Sequence, residues 1–220
     1  MNKSLSTPLV LVCFLVTQQS SLGQSAQVIP RADLVLRAGA GFPVGDFSGN
    51  TTGQLGHAST GFGGSLEYSY HVIEFFDLGL LFNVNYNGFD AEKLASELGT
   101  GTAVSATHYL NSSMLGCFGF NVPTTQNIRF YTQGCLGIVR STSPEITLSG
   151  GNTQAAITSA TSYAFGYSFA AGVTIFSIDL SLRYLASEPE YHYKDQNGQD
   201  VHAKQPTGII QMSVGYAIPL

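Results

Sequence analysis

Bulky apolar residues alternate with small or polar residues along several short segments of this chain. The clearest segment is 76–87, where bulky side chains occupy one parity and mostly small or polar side chains the other: Phe76, Leu78, Leu80, Phe82, Val84 and Tyr86 against Asp77, Gly79, Leu81, Asn83, Asn85 and Asn87. A period of two residues is that of a β-strand, whose successive side chains point to opposite faces. Since no segment shows a sustained helical period, the sequence predicts an all-β chain.

The candidate strands number eight, and the connections between them alternate in length. The predicted strands are 34–44, 60–70, 76–90, 108–122, 128–142, 162–174, 178–186 and 207–218. Long connections at 45–59, 91–107, 143–161 and 187–206 alternate with short turns at 71–75, 123–127 and 175–177. Antiparallel neighbours would place every long connection at one end and every short turn at the other, which is the plan of a transmembrane β-barrel.

The charged residues indicate which face of the sheet is the interior. Within the strand cores they share the parity of the small side chains: Arg37, Glu67, Asp77, Arg129, Asp179 and Arg183. In a soluble barrel the bulky face would fill the interior and the charges would face water. Here the small, polar face suits the inside of a narrow barrel, and the aromatic face belongs outside against lipid. The prediction is therefore an eight-stranded antiparallel up-and-down transmembrane β-barrel.

Composition excludes several other classes of protein. Apolar residues make up 44% of the 220 residues, which argues against disorder. No continuous apolar run reaches the roughly 18 residues that a membrane-spanning helix needs. The formal net charge of −5 leaves no basic patch, so nucleic acid is not an expected partner.

The N-terminus has the three parts of an export signal. Lys3 supplies the positive charge, Pro8 to Val16 the apolar stretch, and Ser21 and Gly23 the two small residues of a small-x-small cleavage site. The sequence thus predicts a signal peptide over 1–23 and a barrel domain over 24–220. The mature chain keeps Cys117 and Cys135 and enters a compartment where disulfides persist.

The first and last predicted strands resemble those of a known superfamily. The segment Leu36 to Phe47 (LRAGAGFPVGDF) and the segment Gly208 to Pro219 (GIIQMSVGYAIP) look like the terminal strands of the small outer-membrane β-barrels of Gram-negative bacteria, the OmpA-like and PorT-like barrels. The chain departs from many members in ending on Leu220 rather than on an aromatic residue. The resemblance implies location in the outer membrane, insertion by the barrel assembly machinery and contact with outer-membrane lipid, and it implies no particular reaction.

The expected function is a non-enzymatic structural or surface-interaction role of a monomer, carried by the long connections. Envelope or cell-surface proteins are the candidate partners, and no cofactor is expected. Three alternatives stay open: a narrow solute channel, a component of a secretion system, and a lipid A-modifying barrel enzyme. For the enzyme, His108 near Ser112 and Ser113 is the candidate constellation, but the sequence places no acid beside it.

Two inward-facing groups have two interpretations each. The six charged residues of the strand cores form either a gated polar path or an internal salt-bridge network, and a nearly filled eight-stranded interior favours the network. Cys117 and Cys135 are predicted to be cross-strand neighbours about the 123–127 turn, as a disulfide or as two buried thiols.

Arg140 has outward parity near a long connection, where it would reach lipid headgroups.

The stretch Glu188 to Asp195 in the last long connection is the remaining candidate. Tyr191, His192 and Tyr193 make it a candidate contact surface for a partner. A weak metal site is the alternative, but the spacing matches no ligand signature, so a solvated loop is the favoured interpretation. No catalytic, cofactor or metal site is therefore predicted.

Overall fold

The computed structural model describes the chain from residue 32 onward with short gaps. The described residues are 32–49, 56–99, 101–125, 127–150, 153–194 and 200–220. The predicted signal peptide over 1–23 and the first residues of the predicted barrel domain lie outside the described residues. Among the described helices, none has the length and apolar character needed to cross a membrane.

Most of the described chain is β-strand. In chain order the elements are β1 (Ala32–Val44), a 3-10 turn (Gly45–Ser48), β2 (Ala58–Ile73), β3 (Phe76–Phe89), α1 (Ala91–Leu98), β4 (Thr102–Ala106), β5 (Tyr109–Thr125), β6 (Ile128–Thr142), β7 (Ile146–Gly150), β8 (Thr153–Ile157), β9 (Thr161–Ile175), β10 (Ile178–Ser187), β11 (Glu190–Lys194), β12 (Asp200–Lys204) and β13 (Thr207–Pro219). Eight of the strands are long and form one closed barrel in the order β1-β13-β10-β9-β6-β5-β3-β2.

The barrel confirms the predicted fold class. Every neighbouring pair is antiparallel, including β1 with β13, which closes the ring. Each predicted strand has its counterpart, and the ends differ by at most three residues, the largest differences being at β2 and β5, which continue to Ile73 and Thr125. The short turns therefore lie together at one end, called here the turn end, and the long connections at the other, called the loop end.

The two faces of the sheet have opposite chemistry. In β3 the outward Leu78, Leu80 and Phe82 are about half exposed, whereas the inward Asn83 and Asn85 are fully buried. When the sheet closes, the small and polar side chains of all eight strands point inward. They fill the interior, because an eight-stranded barrel has room for little more than its own side chains. The assignment of faces made from parity is therefore correct.

The prediction that the long connections are loops is wrong in part. The second contains α1, whose first turn is capped by the Asp90 side chain accepting from the Lys93 backbone N–H at 3.0 Å. The second and third connections together form a three-stranded sheet in the order β4-β7-β8, and the fourth forms the hairpin β11-β12. Helix and strands of five to eight residues carry too little periodicity to be recognised in the sequence.

Candidate functional site

Four charged side chains form a buried ion-pair network inside the barrel. The Arg37 guanidinium donates to Glu67 Oε2 at 2.7 Å through Nη1 and to Asp179 Oδ1 at 2.5 Å through Nε. Arg183 Nη2 donates to the same Glu67 oxygen at 3.1 Å. All four side chains are at most 5% exposed. Glu67 is thus shared by two arginines, which is the arrangement in which burial of a charge is tolerated.

Polar side chains of β6 extend this network across the lumen. Gln133 Nε2 donates to Glu67 Oε1 at 2.8 Å, and Gln133 Oε1 accepts from Arg183 Nη2 at 3.0 Å. The Tyr131 hydroxyl donates to Asp179 Oδ1 at 3.2 Å. Arg37 Nη2 on β1 donates to the Tyr131 hydroxyl at 3.3 Å, and since β6 lies opposite β1 in the ring, this bond joins opposite walls of the barrel. The charged network therefore obstructs the lumen.

A second cluster of charges lies at the turn end. Arg129 Nη2 donates to Asp33 Oδ2 at 2.5 Å. The His71 ring bridges two carboxylates, with Nδ1 at 2.6 Å from Asp77 Oδ1 and Nε2 at 3.3 Å from Asp33 Oδ2. The Asn121 amide donates to the other Asp77 oxygen. Both carboxylates and the histidine ring have partners within the cluster.

The six charged residues expected in one lumen network are thus divided between two clusters. Arg37, Glu67, Asp179 and Arg183 are together, whereas Asp77 and Arg129 belong to the turn-end cluster. Two members of that cluster, Asp33 and His71, are not among the predicted lumen residues, because the first predicted strand begins at 34 and the second ends at 70. A cavity of about 20 Å³ lies against both clusters, which is room for about one water molecule.

The loop-end half of the lumen is lined by neutral amides. Asn83 and Asn85 are fully buried, and within the described part of the protein neither amide has a hydrogen-bond partner. Asn87 Nδ2 donates to the carbonyls of Gly41 and Ser59, both at 3.2 Å. Among the residues described, this half has no charged network of the kind seen at the turn end, although its side chains come from the same strands.

An apolar cluster closes the loop end. The 3-10 turn after β1 places Phe47 in the barrel mouth, where its ring packs edge-on against Tyr109 at 4.9 Å between centroids. Ala58 and Ile209 complete the cluster, and the Tyr109 hydroxyl donates to the Gly56 carbonyl at 2.8 Å. All four apolar side chains are at most 5% exposed. The lumen is therefore obstructed twice, by charges and by apolar packing.

The β11-β12 hairpin has one face toward the barrel and one toward solvent. Tyr191 is 1% exposed, and its hydroxyl lies 2.6 Å from that of Ser141 on β6. Burial raises the pKa of Tyr191 to about 12. His192, on the opposite face, is exposed. The contact surface proposed over Tyr191, His192 and Tyr193 is thus not one surface, because a strand turns successive side chains to opposite sides and Tyr191 is the anchor of the hairpin.

The structure joins the two lumen cysteines in a disulfide. Cys117 on β5 and Cys135 on β6 are direct cross-strand partners, and their Cα atoms are 4.1 Å apart. The sequence left a disulfide and two buried thiols as alternatives, and the structure has the disulfide. Leu81, Leu115 and Val139 pack with the pair in a small apolar cluster of the lumen.

The residues considered for catalysis are not assembled into a catalytic site. His108 is exposed and its ring stacks on Tyr86 at 4.5 Å between centroids. Ser113 is inward and Ser112 has the opposite parity. In the described ranges, His108 has no hydrogen bond to either serine. No acid beside the histidine is seen there either, so the geometry of a charge-relay constellation is missing.

Comparisons with known proteins give likeness of architecture only. No protein-family model matches the sequence, and the search of curated proteins found no match. Similar solved structures include Ail, the attachment invasion locus protein of Yersinia pestis, at 16% identity and TM-score 0.46, covering 86% of this chain and 99% of that one. A major outer membrane protein from Thermus thermophilus has 12% identity and TM-score 0.48, covering 85% and 99%. The outer membrane enzyme PagL has 16% identity and TM-score 0.37, covering 86% and 99%.

Because all three TM-scores are below 0.5, the barrel architecture rests on the strand pairing of this chain itself.

Proposed function

We propose that this chain is a monomeric outer-membrane β-barrel with a closed lumen and a non-enzymatic, structural or surface-interaction role at its loop end. The observation that carries the membrane placement is the outer face of the barrel. Aromatic and aliphatic side chains on every strand are exposed there, among them Phe62 at 66%, Phe165 at 67% and Phe169 at 61%. A soluble monomer does not leave such a continuous apolar surface uncovered.

The distribution of charge supports the same placement. In the eight barrel strands, all within the described residues, Arg140 is the one charged residue with outward parity, and it lies two residues from the loop end of β6. An Arg or Lys at the middle of a lipid-facing surface costs roughly 2–4 kcal/mol, falling to near zero at the interface. A lipid-covered belt accounts for the absence of charge from the rest of the outer face.

The double obstruction of the lumen favours a surface role over a channel. A solute would have to separate the ion pairs of Glu67 and displace the packing of Phe47, and the cavity against the two charged clusters has room for about one water molecule. The loop end, in contrast, presents a three-stranded sheet and a hairpin beyond the barrel. Outer-membrane lipid, the barrel assembly machinery and envelope or cell-surface proteins are the proposed partners. A channel, a secretion-system role and a lipid A enzyme are the alternatives.

A matched pair of substitutions tests the membrane placement. Phe169→Asp puts a charge on the middle of the outer face, whereas Phe176→Asp puts one on a turn residue that is also exposed, at 74% against 61% for Phe169. Phe176 has a positive φ of 56°, a conformation that Asp tolerates. The unsubstituted barrel should appear in the outer-membrane fraction and change its gel mobility in SDS on boiling. Phe176→Asp should behave in the same way. Phe169→Asp should lose most of the folded species.

Two outcomes contradict the proposal. A periplasmic, soluble protein in which Phe169→Asp folds as well as Phe176→Asp would show that water, not lipid, covers the outer face. Discrete conductance steps of the purified barrel in a planar bilayer would show that the lumen opens, and would replace the surface role by the channel.

A further inference from the structure

Two histidines face each other across the β11-β12 hairpin. His192 and His202 are direct cross-strand partners, with ring centroids 4.3 Å apart. Glu190 lies two residues before His192, so its side chain is on the same face of the strand. One donor atom from each of the three residues lies within 4.8 Å of the other two. We propose that this face of the hairpin binds a divalent transition-metal ion of the Zn²⁺ class.

The spacing of two of the donors already fits a metal ion. His202 Nδ1 lies 3.3 Å from Glu190 Oε1. In a tetrahedral zinc site with bonds of about 2.0–2.1 Å, two ligand atoms are separated by about 3.4 Å. A metal ion can therefore enter between the imidazole nitrogen and the carboxylate oxygen with little movement of either. The exposed His192 ring closes the remaining distance by rotating about its side-chain torsions.

The opposite face of the hairpin holds the site in place. Tyr191 is buried, and its hydroxyl is hydrogen-bonded to the Ser141 hydroxyl. Gln205 joins the two ends of the hairpin to each other and to the barrel mouth. The Gln205 backbone N–H donates to the Pro189 carbonyl at 3.0 Å, and its side-chain amide donates to the Tyr109 hydroxyl at 3.1 Å. The backbone that carries the three ligands is thus fixed before any ion binds, which lowers the entropy cost of binding.

The ligand set selects the class of metal. Two imidazoles and one carboxylate suit Zn²⁺ and its neighbours in the transition series, and three protein ligands leave a further position for water or a partner group. Hard cations such as Ca²⁺ need six to eight oxygen ligands, whereas the described ligand set contains one carboxylate, that of Glu190. Lys204 is the cross-strand partner of Glu190, and its positive charge opposes a cation held by charge alone. The site therefore depends on the histidine nitrogens.

The experiment is titration calorimetry of the folded, full-length, tag-free barrel in detergent with ZnCl₂. We expect one saturable Zn²⁺ site per chain and none for CaCl₂. His192→Ala and His202→Ala should each weaken Zn²⁺ binding at least about tenfold, since each removes one of three ligands, and Glu190→Gln should weaken it as well. His108→Ala is the matched control, because His108 is an exposed histidine at the same end of the barrel, and it should bind Zn²⁺ as the unsubstituted chain does.

The heat-dependent gel shift of each variant shows that its barrel is intact. His192→Asn and His202→Asn, which keep a polar side chain at each position, repeat the measurement if an alanine variant does not fold. The proposal is overturned if the unsubstituted chain shows no saturable Zn²⁺ binding. It is also overturned if the His192 and His202 variants bind Zn²⁺ as tightly as the His108→Ala control does. The outcome is independent of whether the barrel lies in a membrane, because the hairpin stands outside the barrel strands.

Discussion

The two halves of the lumen are built from the same strands and have different polar chemistry. Toward the turn end the side chains are charged, and Glu67, Asp179 and Asp33 each have an arginine partner. Toward the loop end they are neutral amides, and Asn83 and Asn85 are buried without a partner in the described part of the chain. One half is thus held by ion pairs and the other by packing and by the cluster around Phe47.

The difference shows what each half contributes to stability. A buried charge whose partner is removed is costly, because the remaining charge stays desolvated. A neutral amide without a partner has little to lose when it is replaced by an apolar side chain of similar size. The charged half should therefore be sensitive to substitution, and the amide half should be tolerant.

The largest effect is expected for Glu67→Ala, which leaves both Arg37 and Arg183 without their shared carboxylate. We expect the free energy of unfolding to fall by about 3–5 kcal/mol. Urea unfolding of the barrel in lipid vesicles measures it. The control is Glu145→Ala, an exposed residue in the third long connection, which should change the value by less than about 0.5 kcal/mol. Similar values for the two variants would mean that the network contributes nothing.

A pair of asparagines compares the two halves directly. Asn121 donates to Asp77 in the turn-end cluster, whereas Asn85 has no partner among the described residues. Asn121→Leu should cost about 1–3 kcal/mol because it leaves a carboxylate oxygen unsatisfied, and Asn85→Leu should cost less than about 1 kcal/mol. The same urea experiment applies. A larger cost for Asn85→Leu would show that the amide half is as highly specified as the charged half.

The smallest effect is expected at Tyr191, where the hairpin covers the amide half. Tyr191→Phe removes the hydrogen bond to Ser141, worth about 1 kcal/mol, and should speed amide hydrogen exchange in β11 and β12 while leaving the barrel strands unchanged. Tyr163→Phe, at an exposed tyrosine of β9, is the control. Unchanged exchange in the hairpin would show that this contact does not anchor it.

The same contact has a pH dependence. Burial raises the pKa of Tyr191 to about 12 from 10.0, so the docked hairpin favours the neutral phenol. This contribution to stability is complete below pH 10.0 and is lost as the pH rises through about 12. Tyr191→Phe lacks the ionisable phenol. Alkaline loosening of its hairpin, measured by amide hydrogen exchange, should therefore be weaker than in the unsubstituted chain. An identical alkaline profile in both chains would assign the loosening to other groups.

Strand parity predicts which residues face the lumen but not which of them meet there. Strand parity correctly predicts that four charged residues lie on the inner face: Arg37, Glu67, Asp179 and Arg183. The position of the 123–127 turn correctly predicts that Cys117 and Cys135 are cross-strand neighbours. The membership of each cluster was not predictable, because Asp33 and His71 lie outside the predicted strand limits. His71 pairs with Asp77 across the β2-β3 turn, whereas Asp33 meets Arg129 only through closure of the barrel. The amide half was visible in the sequence as Asn83, Asn85 and Asn87, but its lack of partners was not.

The proposed metal-ligand set was visible only in part. A weak metal site was one interpretation of the stretch Glu188 to Asp195, but Glu190 and His192 match no ligand motif by themselves, and the third ligand, His202, is ten residues further on. The strand parity, the eight strands and the alternation of long and short connections follow from the sequence by itself, because they depend on residues close together in the chain. The two lumen clusters, the apolar closure of the loop end and the histidine pair depend on which strands become neighbours and in which register. Backbone hydrogen bonding between distant segments decides that, and it exists only in the folded barrel.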